Sequence, residues 1–341
     1  HMVLAREPLS ARVWGNASSG ATVTVTLAGV GTTSATTSAN GSWMVDLPPQ
    51  KAGTDHTLTF SDGTSSITIT DVAFGDVYLC TGQSNMEFSL NAAMNASAEI
   101  ADSIHYPNLR LATVANQFSD SPLANALPIA NYTEGGKVVA WRRSGPNAFA
   151  PASTTTFSYF SAVCYLFGRD LHRQIGIPIG LVASDVGGVK IESMMSEAAR
   201  QDTSCGGTTL STIGLAKPSP YDHPSLISPY GLASVEEGVI DDELRKGLGV
   251  APGQLWNGMI APLLQMRFVG VVFYQGESNS LAGCPSAYAC QFPALISDWR
   301  KQFHQPELSF FFVQLAAYGW HDYTHLRQAQ ATVLRLPATG M

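Results

Sequence analysis

The chain is short of positive charge. It has 19 Lys and Arg against 26 Asp and Glu, a formal net charge of −7 over 341 residues. That balance argues against nucleic acid and anionic membrane surfaces as partners. No apolar run reaches transmembrane length and no secretory signal is present. The five cysteines show no zinc-ligand spacing, and nothing implies a metal or other cofactor. There is no internal repeat beyond a Thr/Ser bias in the first seventy residues.

What is present is core-forming material. Hydrophobic residues make up 45% of the chain and charged residues 13%, enough to bury two domains. Residues 1–72 are rich in Thr, Ser, Gly and Val, with alternating runs at 21–27, 56–60 and 65–70, which predicts a small antiparallel β-domain. From residue 73 strands alternate with helices. Strands are predicted at 77–80, 109–115, 178–184, 268–274 and 308–315, and helices at 86–102, 157–175, 191–200, 285–303 and 324–335. That is an α/β domain over 73–341, a parallel sheet with helices on both faces. Residues 201–252 read as a Ser-, Pro- and Gly-rich loop insertion.

One segment presents a nucleophile. Val77-Tyr78-Leu79-Cys80 is an apolar run that leads through Thr81 to Gly82, and Ser84 follows two residues later, ahead of a helical pattern with Met86, Leu90, Met94 and Ala98 near a 3.6 period. Taken alone, Ser84 is a capping serine. The turn is not a G-x-S-x-G elbow, because Met86 stands where the second glycine would be. Two further strands stop in the same way. Ile179–Ser184 runs into Asp185-Val186-Gly187-Gly188, and Phe268–Tyr274 into Gln275-Gly276-Glu277-Ser278-Asn279. Ligands of open α/β sheets sit at the carboxyl ends of strands. Three polar strand ends meeting there would supply what acyl transfer needs: a hydroxyl, and N–H donors where the oxyanion forms.

These segments resemble the sialate O-acetylesterases of the SGNH hydrolase superfamily. The resemblance runs through Gly75-Asp76-Val77, Gly82-Gln83-Ser84-Asn85-Met86, Leu255-Trp256-Asn257-Gly258-Met259, Tyr274-Gln275-Gly276-Glu277-Ser278-Asn279 and Phe292-Pro293-Ala294-Leu295-Ile296. It implies an SGNH-type, flavodoxin-like sheet and deacetylation of an O-acetylated sialic acid, with acetylated polysaccharide such as xylan as the alternative substrate. A catalytically dead sugar-binding relative is the competing class. It also implies Ser84 as nucleophile. The Ser84 and Gly188 N–H groups, with the side chain of Gln275 or Asn279, would form the oxyanion hole. Read from the residues alone, Glu277 would orient a histidine or serve as a helix-start carboxylate stabilised by the dipole.

The sequence departs from the family pattern in two places. Val186 and Met194 replace the two tryptophans around Gly187-Gly188…Glu192, which predicts a differently shaped pocket. The family's Asp-x-x-His-Pro dyad is expected beyond Met341, on a companion C-terminal chain. Asp322-Tyr323-Thr324-His325 has the spacing but precedes the helix that the dyad should follow, so capping is its ordinary reading. At the other end, His1-Met2-Val3-Leu4 resembles the interior of the family's first domain, so residues are expected upstream of it. His56, His105, His172, His223, His304 and His321 are read as structural or solvated. With net negative charge, an anionic sugar would need local arginines, and Arg142-Arg143 beside Trp141 are the pair considered.

Cys284 and Cys290 are close enough for a small-loop disulfide, Cys80 and Cys164 read as buried thiols, and Cys205 as a free thiol or long-range bridge. Sequons at Asn16, Asn40, Asn95 and Asn131 suit a secreted or lysosomal glycoprotein.

Overall fold

Alternation governs the start of the chain. In Thr22–Leu27 the residues Val23, Val25 and Leu27 turn inward and the threonines outward, the period of a half-buried strand. The computed structural model describes residues 1–127, 133–134, 137–138, 140–149, 157, 160–202, 250–281, 287–318 and 321–341. Most of the 201–252 insertion, with Cys205 and His223, lies outside these residues, as do Cys284 and Asn131.

Seven strands open the fold: β1 (Val3–Ala5), β2 (Arg12–Asn16), β3 (Thr22–Leu27), β4 (Gly31–Thr36), β5 (Ser42–Asp46), β6 (Gly53–Ser61) and β7 (Ser66–Gly82). β2 and β5 form a separate antiparallel pair, while β4, β3, β6 and the first half of β7 make an antiparallel sheet. Leu4, Val13, Val25, Leu27, Val45, Leu58, Val72 and Phe74 form its core.

β7 does not stop at residue 72. It continues for ten residues, parallel to β1 from Ala73 and then at the centre of the second sheet. The expected boundary at 72/73 therefore falls inside a strand shared by both sheets. The strand turns at Asp71, in the left-handed region at φ 56°, which Asp tolerates better than most residues. Arg110 and Arg143 both grip the Asp71 carboxylate there, at 2.9 Å and 2.6 Å.

The remaining strands are β8 (Leu109–Thr113), β9 (Thr133–Glu134), β10 (Lys137–Val138), β11 (Arg142–Arg143), β12 (Ile179–Asp185), β13 (Gly270–Tyr274), β14 (Ser309–Phe312) and β15 (Thr339–Gly340). The α/β sheet runs β11-β8-β12-β7-β13-β14-β15, parallel throughout except at β11. Counted from β7, that order is 2-3-1-4-5-6, so it differs from the flavodoxin order 2-1-3-4-5 in which strand takes the place beside the first. Burial explains the exchange. All seven residues of β12 are buried and need partners on both sides. β8 takes the outer place, where Arg110 reaches Asp71.

Helices cover both faces. They are α1 (Ser84–Glu87), α2 (Ala96–Asp102), α3 (Pro146–Phe149), α4 (Ala162–Ile175), α5 (Glu197–Arg200), α6 (Glu277–Leu281), α7 (Tyr288–Gln302) and α8 (Thr324–Ala331). α4 packs Ala162, Cys164 and Tyr165 on Tyr78, Cys80, Leu111 and Leu181. α7 packs Tyr288, Phe292, Leu295, Ile296 and Trp299 on the opposite-facing Val77, Leu79, Val271, Phe273 and Phe310. The helix expected from 157 starts at 162 because Ser161 accepts the Cys164 N–H, and Gly176 ends it at φ 69°. The helix expected over 86–102 is broken into α1, a 3-10 turn at Leu90–Ala92 and α2, with extended backbone at Ser89 and Ala93. Met86 and Leu90 are buried as the period requires, but Met94 is exposed.

Cys80 and Cys164 are not free thiols. They form a disulfide that joins β7 to α4, with Cα atoms 5.8 Å apart. Cys80 lies on the face of β7 that α4 covers, and a separation of 84 residues gives no spacing signal in the sequence. Cys290 is disulfide-bonded as well, and Cys205 and Cys284 lie outside the described residues. No helix among the described residues is long and apolar enough to cross a membrane.

Candidate active site

The chain leaves β7 toward β8 and β12 on one side and returns to β13 on the other, so the order reverses at β7. Crevices form at such reversals. Here Gly82, the last residue of β7, is in register with Asp185 at the end of β12 and with Tyr274 at the end of β13. Three strands stop at one level. Gly82 must be glycine, because a Cβ there would stand 2.0 Å from the Tyr274 carbonyl oxygen.

Gln83 locks the turn. Its Oε1 accepts the Gln275 side-chain amide at 3.1 Å and the backbone N–H groups of Gly276 and Ser278 at 3.3 Å. Ser84 then opens α1, half-buried, with Asn85 exposed beside it. Among the described residues no side chain hydrogen-bonds the Ser84 hydroxyl. Asn85 donates its amide to Glu277 Oε1, joining α1 to α6 across the crevice. The other oxygen of Glu277 is buried without a partner, and burial raises the pKa of this carboxyl against the hydrogen bond from Asn85.

The Gly187-Gly188 turn comes to the same place. Gly187 N–H donates to Glu87 Oε2 at 2.6 Å, and Gly188 sits at φ 71°, a left-handed conformation suited to glycine. α1 thus holds the Gly187-Gly188 turn through Glu87.

The two amides are occupied differently. Gln275 Nε2 has three acceptors for its two hydrogens: Asn279 Oδ1 at 2.8 Å, and Gln83 Oε1 and the Val189 carbonyl at 3.1 Å. Its Oε1 accepts the Tyr288 hydroxyl at 2.8 Å, and the residue is fully buried. Asn279 Oδ1 accepts the Ile191 N–H at 2.9 Å, which fixes the orientation of its amide. Nδ2 donates to Glu192 Oε2 at 2.9 Å, leaving one hydrogen unassigned. Glu192 is buried, and its Oε1 accepts the Gln291 amide at 2.8 Å.

Several of these residues escaped the sequence reading. Gln83 stood inside the serine motif, but nothing in the sequence shows it reaching α6. Glu87 read as one more helical residue. Asp185 lies next to the nucleophile strand, and burial alone pushes its carboxyl up to about 7.

The other sequence candidates make contacts of their own. Asp322 Oδ1 accepts the Thr324 N–H at 2.8 Å at the entry to α8, and His325 is exposed. Arg142 and Arg143 form the edge strand β11, with Arg143 held by Asp71 and Arg142 donating to the Asn147 carbonyl. Val186 and Met194 are core residues. Among the described residues no group of three or more His, Cys, Asp or Glu side chains could hold a metal ion.

Residues 251–341 match the family described as carbohydrate esterase, sialic acid-specific acetylesterase. The chain is 36% identical to the sialate O-acetylesterase of Rattus norvegicus, over 93% of this chain and 59% of that protein. It is 34% identical to the sialate O-acetylesterase of Homo sapiens, over 89% of this chain and 52% of that protein. Among solved structures it resembles a carbohydrate acetylesterase from Xanthomonas citri, with 29% identity and a TM-score of 0.75 over 99% of this chain and 65% of that one. The chain spans little more than half the length of the curated relatives it matches. The fold and these matches define a carbohydrate-esterase-type protein. Within that class the chain belongs to the sialate O-acetylesterase family.

Proposed function

We propose that residues 73–341 carry an SGNH-type serine esterase that removes O-acetyl groups from sialic acids. The observation that supports this reading is the common level of Gly82, Asp185 and Tyr274, the strand ends that Ser84, Gly188 and Asn279 follow. The rat and human relatives support the sialic acid substrate.

Ser84 Oγ attacks the acetyl carbonyl carbon while its proton passes to a histidine outside the described residues, with Asp322-x-x-His325 as the alternative dyad. The tetrahedral oxyanion takes the Ser84 and Gly188 N–H groups and the remaining Asn279 Nδ2 hydrogen. Asn279 suits this role better than Gln275, whose amide is enclosed. The C–O bond to the sugar breaks, the histidine returns the proton to the leaving alcohol, and water hydrolyses the acetyl-serine. In this reading Glu277 would orient the histidine.

The test is acetate release from O-acetylated sialic acid and from acetylated xylan, with Ser84→Ala as control. Release from sialic acid, abolished by the variant, is expected. Preference for xylan would move the substrate to polysaccharide. Sugar binding with no release would leave a binding protein. Exposed Asn16, Asn40 and Asn95 support a secreted or lysosomal glycoprotein, which a glycosidase-dependent shift in mass would test.

A further inference from the structure

An open cavity of about 410 Å³ lies at the entry to α8, lined by Ala317, Tyr318, His321, Asp322, Tyr323, Thr324 and Arg327. Its volume is that of a small-molecule site. It adjoins the crevice. Ser280, on the helix that carries Glu277 and Asn279, shares a hydrogen bond with His321 Nε2 at 3.1 Å. On the cavity's other side, burial and then the nearby Glu277 push the Tyr323 hydroxyl up to about 12.

The lining mixes three kinds of chemistry. Tyr318 and Tyr323 lie nearly parallel, 19° apart with centroids separated by 6.2 Å, and Tyr318 keeps 42% of its surface exposed. The His321 ring packs 4.9 Å from Tyr323. Asp322 supplies a carboxylate whose pKa is lowered by hydrogen bonds from the Thr324 hydroxyl and backbone. Arg327 spends Nη2 on Gln314 Oε1 at 3.2 Å, which leaves other guanidinium hydrogens for a ligand.

An anion alone would meet Asp322, and a cation alone would meet Arg327. A ring of hydroxyls suits both, since each hydroxyl donates to a carboxylate and accepts from a guanidinium. The apolar C–H face of such a ring packs on an exposed aromatic face. We propose that this cavity is a carbohydrate subsite that takes a pyranose ring against Tyr318, with its hydroxyls shared between Asp322 and Arg327. The subsite would hold the sugar whose acetyl group reaches Ser84. To that extent it rests on the esterase reading, but its binding can be measured without turnover.

Saturation-transfer NMR on the Ser84→Ala protein, with methyl β-glucopyranoside and with the methyl glycoside of N-acetylneuraminic acid, provides that measurement. Binding of at least one is expected, with Tyr318→Ala weakening it on the order of 10-fold, the scale of one aromatic contact. Asp322→Asn and Arg327→Gln should weaken it as well. Loss on Arg327→Gln confined to the acidic sugar would show that the guanidinium reads the carboxylate. With Ser84 intact, Tyr318→Ala should lower kcat/KM for an acetylated pyranoside relative to 4-nitrophenyl acetate by the same factor, through KM. Binding by the parent that is unchanged in all three variants would overturn the subsite, as would no binding of either sugar by protein that hydrolyses 4-nitrophenyl acetate. Sugar binding lost in Tyr318→Ala, in protein with no esterase activity, would keep the subsite and sink the esterase instead.

Discussion

Asn279 donates its side-chain amide to the buried carboxylate of Glu192 at 2.9 Å, across 87 residues of sequence. Together with the Ile191 N–H on Asn279 Oδ1, this bond fixes both ends of the amide. The donor assigned to the oxyanion is thereby preorganised, and preorganised donors contribute most to acyl transfer. Asn279→Ala should lower kcat on the order of 10²–10³-fold with little change in KM. Glu192→Gln should also act on kcat, since its new amide group would oppose one of the two amides that the carboxylate now accepts. Gln275→Ala should appear chiefly in stability, because it strips a buried hub and leaves partners unpaired at roughly 1–3 kcal/mol. Urea denaturation beside steady-state kinetics separates these effects. A loss of stability with unchanged kcat in both Asn279→Ala and Glu192→Gln would reduce this pair to scaffolding.

The Cys80–Cys164 disulfide closes 84 residues of chain and anchors the nucleophile strand to α4. Cross-links of that span stabilise chiefly by restricting the unfolded state. Cys80→Ala/Cys164→Ala should lower the free energy of unfolding by roughly 2–4 kcal/mol while leaving the strand order intact. Equal urea midpoints for the parent and the double variant would contradict this.

How much of this was legible beforehand follows from the range of each interaction. The strand ends at Gly82, Asp185 and Tyr274 are local patterns, and each was readable as apolar residues running into glycine and polar groups. Their order in the sheet was not, because it follows from tertiary contacts: the burial of β12 on both sides, and the bond from Arg110 on β8 to Asp71, 39 residues away. The disulfide was missed for the same reason. Glu87 read as one more helical residue and Glu192 only as part of the resemblance, since packing alone reveals that they accept hydrogen bonds from residues about a hundred positions away. His321 read as structural or solvated, and its bond to Ser280 is likewise a tertiary product. Met94 failed differently, because helical period alone does not say where a helix breaks.

Asp185 sets a pH dependence. Its folded-state carboxyl titrates at about 7 because burial penalises the charged form, whereas the unfolded chain restores the ordinary range near 4. Between those values the folded protein holds the proton that the unfolded chain releases. Stability therefore falls as pH rises from about 4 to about 7, then levels off with the full cost of the buried charge in place, on the order of 4 kcal/mol. Asp185→Asn should flatten this slope and stabilise the protein above pH 7. Urea midpoints across pH 4–8 would show it, and parallel curves for parent and variant would mean that the carboxylate is relieved by water or a partner.

His325 decides where the base comes from. Its spacing from Asp322 matches a catalytic dyad, yet Asp322 Oδ1 accepts the Thr324 N–H at 2.8 Å as a cap, and His325 is exposed at the first turn of α8. A general base must reach the proton it removes, directly or through one water. His325→Ala is therefore expected to keep hydrolysis of 4-nitrophenyl acetate within a few-fold of the parent. Removing a true triad histidine leaves only the residual rate from the oxyanion hole and binding, a loss of many orders of magnitude. A collapse of that size in His325→Ala, reproduced by Asp322→Ala and unaccompanied by unfolding, would promote this pair to the dyad.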